Sequence, residues 1–361
     1  MHRTQIKELI WRVLDNYKKR KKLMWDDICK VNRVEIPAMM AYAALKTKYP
    51  NKKFITHLLN LILKEQANDG YWFEFSYEPE EEKVGYYGAV PTAICILALV
   101  EGCKVFKNEK YLLAAIKGCD HLYSTERKGK FLKAKINKHH VLNTNLLCGL
   151  ALIETANIMN QKSRRKPLYV WATSRAIKRT IESQWLSGAF PYTYAGLGIP
   201  FLYHCMTLAL LIALHEYFNH PIVYCAIKRG IRFLEKRVID KEGTVRWEKE
   251  NFHDKTGAMW IYGWIIFSLN EFSQQNKKID FSFLLSSIRS LDSFKSAWLL
   301  FSLSFVFRSH YSSNKTYIAY KILSNCKLLV YQIKKFKMLF AYLRRKCIFD
   351  LDEGAIEEVV F

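Results

Sequence analysis

Residues able to move a proton or stack on a ring gather in four stretches of this 361-residue chain. The first carries Trp72, Glu74 and Tyr87. The second ends in His139-His140 and runs into Asn143 and Asn145. The third holds Tyr192, Tyr194, Tyr203 and His204, and the fourth Trp247, His253, Asp254, Lys255 and Trp260. A histidine near a tyrosine can take up a proton and return it, while basic residues neutralise a carboxylate on the reacting molecule. His204 and Tyr194 are therefore the first candidates for proton transfer. A lone histidine at the start of a buried helix is also commonly a hydrogen-bonded core residue. His253 beside Asp254 offers a base with an orienting carboxylate, although adjacent side chains diverge and Asp254 equally suits a helix cap. Glu74 is the best lone carboxylate for acid-base work. No second carboxylate stands at a spacing diagnostic of paired glycosidase acids.

The remaining candidates would hold a substrate: Trp72, Tyr87, Asn143, Asn145, Tyr192, Tyr203, Trp247, Lys255 and Trp260. Asn143 and Asn145 fall at a helix start, where capping accounts for one of them but hardly both. Tyr192 and Tyr194 alternate, so an extended segment points both the same way. No Gly-rich phosphate loop, G-x-S-x-G or H-E-x-x-H motif is present. Neither a cofactor nor a metal site is expected.

The elements that must position these residues repeat. Glycines at 70, 129, 188 and 243 are each followed two residues later by Trp72, Phe131, Phe190 and Val245. Before each glycine runs a charged, amphipathic helix: 52–66, 110–123, 168–185 and 221–237. Glycine after a helix supplies the left-handed cap that ends it. After each turn comes a helix apolar nearly all round: 90–106, 142–159, 202–218 and 256–273. Such a helix must be buried on every side. Residues 36–48 supply a buried helix before the first turn, and 280–290, 294–308 and 316–335 continue the alternation. The count is about six hairpins. Six can close into a ring with the apolar helices inside; an open solenoid is the competing arrangement, and helix 5–20 with its basic run at 18–22 would then serve as an end cap.

Composition sets outer bounds. Half the residues are hydrophobic, and Gly (15) and Pro (8) are few, which favours a mostly helical chain over sandwiches or propellers. The 56 basic and 33 acidic residues leave a net charge of +23, a field that attracts anions without naming one. No nucleic-acid-binding motif accompanies it. Nine cysteines without a CxxC read as reduced thiols, most of them inside apolar helices. The N-terminus has no apolar h-region, so no signal peptide is read there and a cytoplasmic protein is expected. A secondary attraction of the basic surface to the anionic inner membrane follows from the charge.

Gln66-Ala67-Asn68-Asp69-Gly70-Tyr71-Trp72 and Gln184-Trp185-Leu186-Ser187-Gly188-Ala189-Phe190 fit Q-x3-G-x-aromatic. The copies around Gly129 and Gly243 have Thr125 and Ile239 in place of Gln. This pattern resembles the Gln-Trp repeat of the α/α-toroid superfamily, which includes terpene cyclases and protein prenyltransferase β-subunits. Looser Gly-aromatic turns occur in the six-hairpin sugar enzymes: unsaturated-uronide hydrolases, uronate lyases, glucuronyl epimerases and toroids encoded with surface-polysaccharide genes. The resemblance implies an all-α, α/α-toroid fold over 36–335, preceded by an N-terminal helix and basic segment (1–35) and followed by a helix end and acidic tail (336–361). It further implies an epimerase, lyase or hydrolase acting on an anionic saccharide or lipid-linked intermediate of surface-polysaccharide biosynthesis. Two alternatives stay open. One is an isoprenoid-binding, cyclase- or prenyltransferase-like toroid, although Asp350-Leu351-Asp352-Glu353 and Asp27-Ile28-Cys29 depart in position from those families' acid and zinc motifs. The other is a non-catalytic binding scaffold.

Overall fold

The computed structural model describes residues 3–27, 31–73, 88–131, 141–193, 201–240, 244–246, 261–272 and 293–308. Its helices fall into two kinds, as their residue patterns require. Helices α2 (Glu35–Lys46), α4 (Ala89–Phe106), α6 (Leu142–Ile158), α8 (Phe201–Phe218), α10 (Ile261–Phe272) and α11 (Ser293–Ser304) have no continuous polar face. In α6 every residue from Leu142 to Ala156 is buried. Helices α3 (Lys52–Lys64), α5 (Glu109–Thr125), α7 (Arg165–Glu182) and α9 (Pro221–Phe233) bury one stripe only. In α3 that stripe is Phe54, Ile55, Leu58, Leu59 and Ile62, one face at helical spacing. Asn51 caps α3 by accepting from Phe54 N at 3.0 Å, and Asn108 caps α5 by accepting from Lys110 N at 3.1 Å.

The apolar helices form a closed ring. Each packs on the next in the order α2, α4, α6, α8, α10, α11, and α11 returns to α2. The amphipathic helices pair with them from outside: α3 on α2, α5 on α4, α7 on α6, α9 on α8. Closure settles the toroid over the open solenoid. Helix α1 (Arg3–Lys18) is not an end cap. It packs on α11 and α2 through Ile6, Leu9, Ile10 and Leu14. Arg3 Nη2 donates to Val306 O at 2.7 Å and Trp11 Nε1 to Thr47 Oγ1 at 3.2 Å. The first helix thus lies in the outer layer beside the last described one. A two-residue antiparallel pair follows it, β1 (Trp25–Asp26) with β2 (Val31–Asn32).

Helices α4 and α8 are each 18 residues long and apolar enough to cross a membrane, but 72% and 83% of those stretches are buried inside the ring. The six described cysteines form no disulfide; Cys95, Cys119, Cys148 and Cys205 are buried in helices and Cys225 is exposed.

The C-terminal ends of the inner helices converge on charge. Glu101 Oε1 takes Lys46 Nζ at 2.8 Å and Lys104 Nζ at 2.6 Å; Lys104 reaches Glu154 Oε2 at 2.8 Å; Arg308 Nη2 reaches Glu154 Oε1 at 2.9 Å and Glu216 Oε2 at 3.2 Å. Three cations and three carboxylates, from α2, α4, α6, α8 and the turn after α11, cancel. Next to them the rings of Tyr42, Trp264, Phe267, Phe301 and Phe305 fill the space where α2, α10 and α11 meet, with centroids 4.8–6.0 Å apart.

Candidate active site at the inner-helix mouth

At the other end, glycine turns follow α3, α5 and α7 and meet the N-termini of α4, α6 and α8. Three of these turns share one construction. Gly70, Gly129 and Gly188 adopt φ of +93°, +81° and +91°. An added Cβ on them would lie 2.4, 2.4 and 2.3 Å from the carbonyl oxygens of Lys117, Arg175 and Arg229 on the following outer helix. Both facts demand glycine. Where the motif has Gln, its amide bridges turn and helix: Gln66 Nε2 donates to Gly70 O and Ala114 O at 2.8 and 2.9 Å, and Gln184 Nε2 to Gly188 O and Ala226 O, both at 2.9 Å. The middle copy, with Thr125 in that place, uses its neighbour instead. The Glu126 carboxylate accepts from Gly129 N and from Arg175 Nη2.

The aromatic residue after each glycine turns inward, and its backbone N–H is met by the fourth residue of the next inner helix. Trp72 N donates to Thr92 Oγ1 at 3.1 Å, Phe131 N to Asn145 Oδ1 at 2.6 Å, and Phe190 N to His204 Nδ1 at 3.0 Å. This repeated bond revises three expectations. Trp72 is fully buried, and its indole donates to Ile62 O at 2.8 Å, so it is a wedge in the wall. Asn145 is fully buried and holds the second turn. His204 is fully buried between Phe190 and Phe233, with ring centroids 5.7 and 4.8 Å away. Burial pushes its pKa down to about 3, against an opposing pull from the Gly230 backbone. It is a neutral acceptor inside the wall.

Other expected residues do meet at the mouth. Val141 and Thr193 form an isolated bridge between the second and third loops, and Leu142 N donates to Tyr192 O at 3.2 Å. This draws Tyr192 onto the start of α6 and against Tyr203 on the first turn of α8. The two rings lie 4.3 Å apart, both half-buried. Burial, with neighbouring Tyr192, pushes the Tyr203 hydroxyl up to about 12. At neutral pH it is a hydrogen-bond donor and no base. Asn143 Nδ2 points to Met206 Sδ at 3.1 Å, leaving its buried Oδ1 without a partner; the Thr193 hydroxyl beside this bridge is likewise unpartnered. Buried polar atoms of this kind are strongly driven to find a partner. Tyr203, Tyr192, Asn143 and Thr193 therefore form one polar, ring-bearing group between the starts of α6 and α8. Thr193 has no sequence signal of its own; only its bridge to Val141 brings it here.

Glu74, Tyr87, Tyr194, Trp247, His253, Lys255 and Trp260 lie outside the described residues. Among the described residues no group of three or more His, Cys, Asp or Glu is placed to hold a metal ion.

No protein-family model and no curated protein matches the sequence. The fold does match solved structures. Rex8A from Paenibacillus barcinonensis, complexed with xylose, superposes with a TM-score of 0.60 at 11% identity, covering 86% of this chain and 96% of that one. A reducing-end-xylose releasing exo-oligoxylanase gives 0.59 at 11% identity, covering 86% and 95%. At this identity the likeness establishes the fold, an all-α α/α toroid, and the match runs over nearly the whole of both chains.

Proposed function

We propose that this chain is a saccharide-active toroid enzyme whose site is the inner-helix mouth, and that it cleaves a glycosidic bond. The observation that carries this is the near full-length fold likeness to oligoxylanases, one of them holding xylose. The mouth chemistry agrees with it. A close, tilted tyrosine pair offers ring faces and a hydroxyl donor, and Asn143 offers an open acceptor, which together suit a sugar's rings and hydroxyls. Because His204 is fully buried, we assign acid-base work to Glu74 and to His253 with Asp254. Tyr194, Tyr87, Trp247, Lys255 and Trp260 complete the proposed binding set.

The finer reading is an anionic glycan or lipid-linked intermediate of surface-polysaccharide synthesis, handled in the cytoplasm. It is supported by the net charge of +23. The test is turnover of two oligosaccharide sets, neutral xylo-oligosaccharides and oligouronides, followed by reducing-end release. Glu74→Gln is expected to abolish release, and Tyr203→Phe to raise KM several-fold with a smaller change in kcat. Preference for oligouronides supports the anionic substrate, and preference for xylo-oligosaccharides overturns that finer part alone. No release and no binding heat with either set overturns the saccharide reading itself.

A further inference from the structure

A second, independent feature lies between the end of α1 and the outer helix α3. Lys18, Lys19, Arg20, Lys21 and Lys22 form an unbroken basic run that begins at the last residue of α1. Taken as sequence it reads as a solvated face, but the fold builds it into a wall. The Tyr17 hydroxyl donates to Leu23 O, Arg33 N donates to Met24 O at 2.7 Å, and β1 pairs with β2 directly after the run. The loop so fixed faces α3 across a hollow of about 350 Å³. Lys18, Arg20, Lys21 and Lys22 line its rim; Leu23, Met24, Phe54 and Leu61 form its apolar floor. His57 belongs to the α3 side, one turn before Leu61, and Lys53 continues that row one turn earlier still.

The rim is under-neutralised. Arg20 pairs with Asp27, and Lys22 sits over the Trp25 ring at 4.7 Å. Lys18 has only Asp15, 3.8 Å away with both side chains about half exposed, and Lys19 and Lys21 have no ion pair. An exposed pair at that distance is largely screened. A cationic rim over an apolar floor complements a molecule with an anionic head and an apolar body. The geometry points to this groove as a docking site for an anionic phospholipid at a bilayer surface, with the headgroup phosphate against Lys18 and Lys21 and the glycerol and upper acyl carbons over Leu23, Met24 and Leu61. Charge complementarity selects the anionic lipid, and the floor selects a lipid over a free anion. The groove shares no residue with the Tyr192–Tyr203 group of the mouth.

The test is co-sedimentation of the full chain with vesicles of phosphatidylcholine alone and of phosphatidylcholine with about one-third phosphatidylglycerol. Binding is expected only to the anionic vesicles. Lys18→Gln with Lys21→Gln should weaken it by roughly 10-fold or more, given what basic residues contribute near an anionic surface. Lys110→Gln with Lys162→Gln, an equal charge loss on exposed positions elsewhere, should change it little. Leu61→Gln, checked for an unchanged melting curve, should weaken binding at constant charge. Equal losses in the two double variants overturn the site in favour of diffuse attraction. No binding to anionic vesicles overturns it outright. Full release of bound protein by millimolar glycerol phosphate, with Leu61→Gln without effect, overturns the lipid and leaves a soluble phosphate site.

Discussion

At the scale of single residues, the most instructive position is His204. It occupies the place that Thr92 and Asn145 hold in the two preceding repeats, accepting from the backbone N–H of the turn aromatic. The bond that the three residues share asks for an acceptor at that position. His204→Asn should therefore keep stability within about 1 kcal/mol, whereas His204→Leu strands a buried N–H and should cost about 1–3 kcal/mol; urea denaturation of both variants checks this. The pH dependence has a definite sign. The folded pKa is about 3 against an ordinary 6.5, so between those values the unfolded chain binds a proton that the folded chain refuses. The stability tied to the neutral ring is fully present above pH 6.5 and drains away as pH falls toward 3, by at most about 1.4 kcal/mol per unit. His204→Asn should flatten the stability curve between pH 6 and 4; parallel curves would mean the ring is reached by water. The residue's type was visible in the sequence, but its direction was not. A histidine three residues into an apolar helix can face either the mouth or the wall, and only its contact with Phe190 decides. Tyr192 and Tyr203 were legible as rings near a helix start, while their pairing depends on the Val141–Thr193 bridge, which no local pattern encodes.

At the scale of the elements, the glycine turn is the unit that locks each outer helix to the next. Its sequence mark is complete in two copies and broken in the third, yet the third has the same shape. Thr125 leaves the turn without the glutamine amide, and Glu126 replaces it with a carboxylate that ties Gly129 N to Arg175. The hairpins themselves were legible because burial fixes their patterns: all-round apolar for α4, α6 and α8, one stripe for α3. The substitution of Glu for Gln was not, because it shifts the bonding group by one residue. Glu126 is almost fully buried, while Arg175 keeps about a quarter of its side-chain exposure. Glu126→Ala should therefore cost about 2–3 kcal/mol, less than breaking a fully buried pair. Gly129→Ala should cost about 3 kcal/mol or more, since the backbone is left-handed and the Arg175 carbonyl occupies the Cβ position. Thermal unfolding orders the two; a Gly129→Ala protein as stable as the parent would show that the turn relaxes.

At the scale of the whole molecule, the question is what makes a ring out of hairpins that would also stack as an open array. Pattern along the chain cannot answer it, because each hairpin needs neighbours on both sides whether the array closes or not. Two contacts close it here. Helix α1 covers α11 and α2 from outside, and Arg308, just past α11, reaches across the ring to Glu154 on α6 and Glu216 on α8. Burial opposes the charged form of Glu154, yet Lys104, Arg308 and Lys46 together hold its carboxyl below the usual range. The network's contribution is then complete above about pH 4.5, the ordinary value, and falls away as acid protonates the unfolded chain first. Arg308→Met removes the cross-ring cation and leaves Glu154 with Lys104 and Glu216 without a cation from the network, for an expected cost of about 3–5 kcal/mol. The loss should be uneven. Helix α11 is joined to α6 and α8 through Arg308, whereas α4 and α6 also share Lys104, so amide exchange should quicken first in 293–307 and leave the α4–α6 contact protected. Adding Glu154→Gln to Arg308→Met should restore part of the stability, because three carboxylates no longer share two cations. Uniform loss of protection around the ring, with no recovery in the double variant, would assign closure to the aromatic cluster of Tyr42, Trp264 and Phe305 and reduce the charges to bystanders.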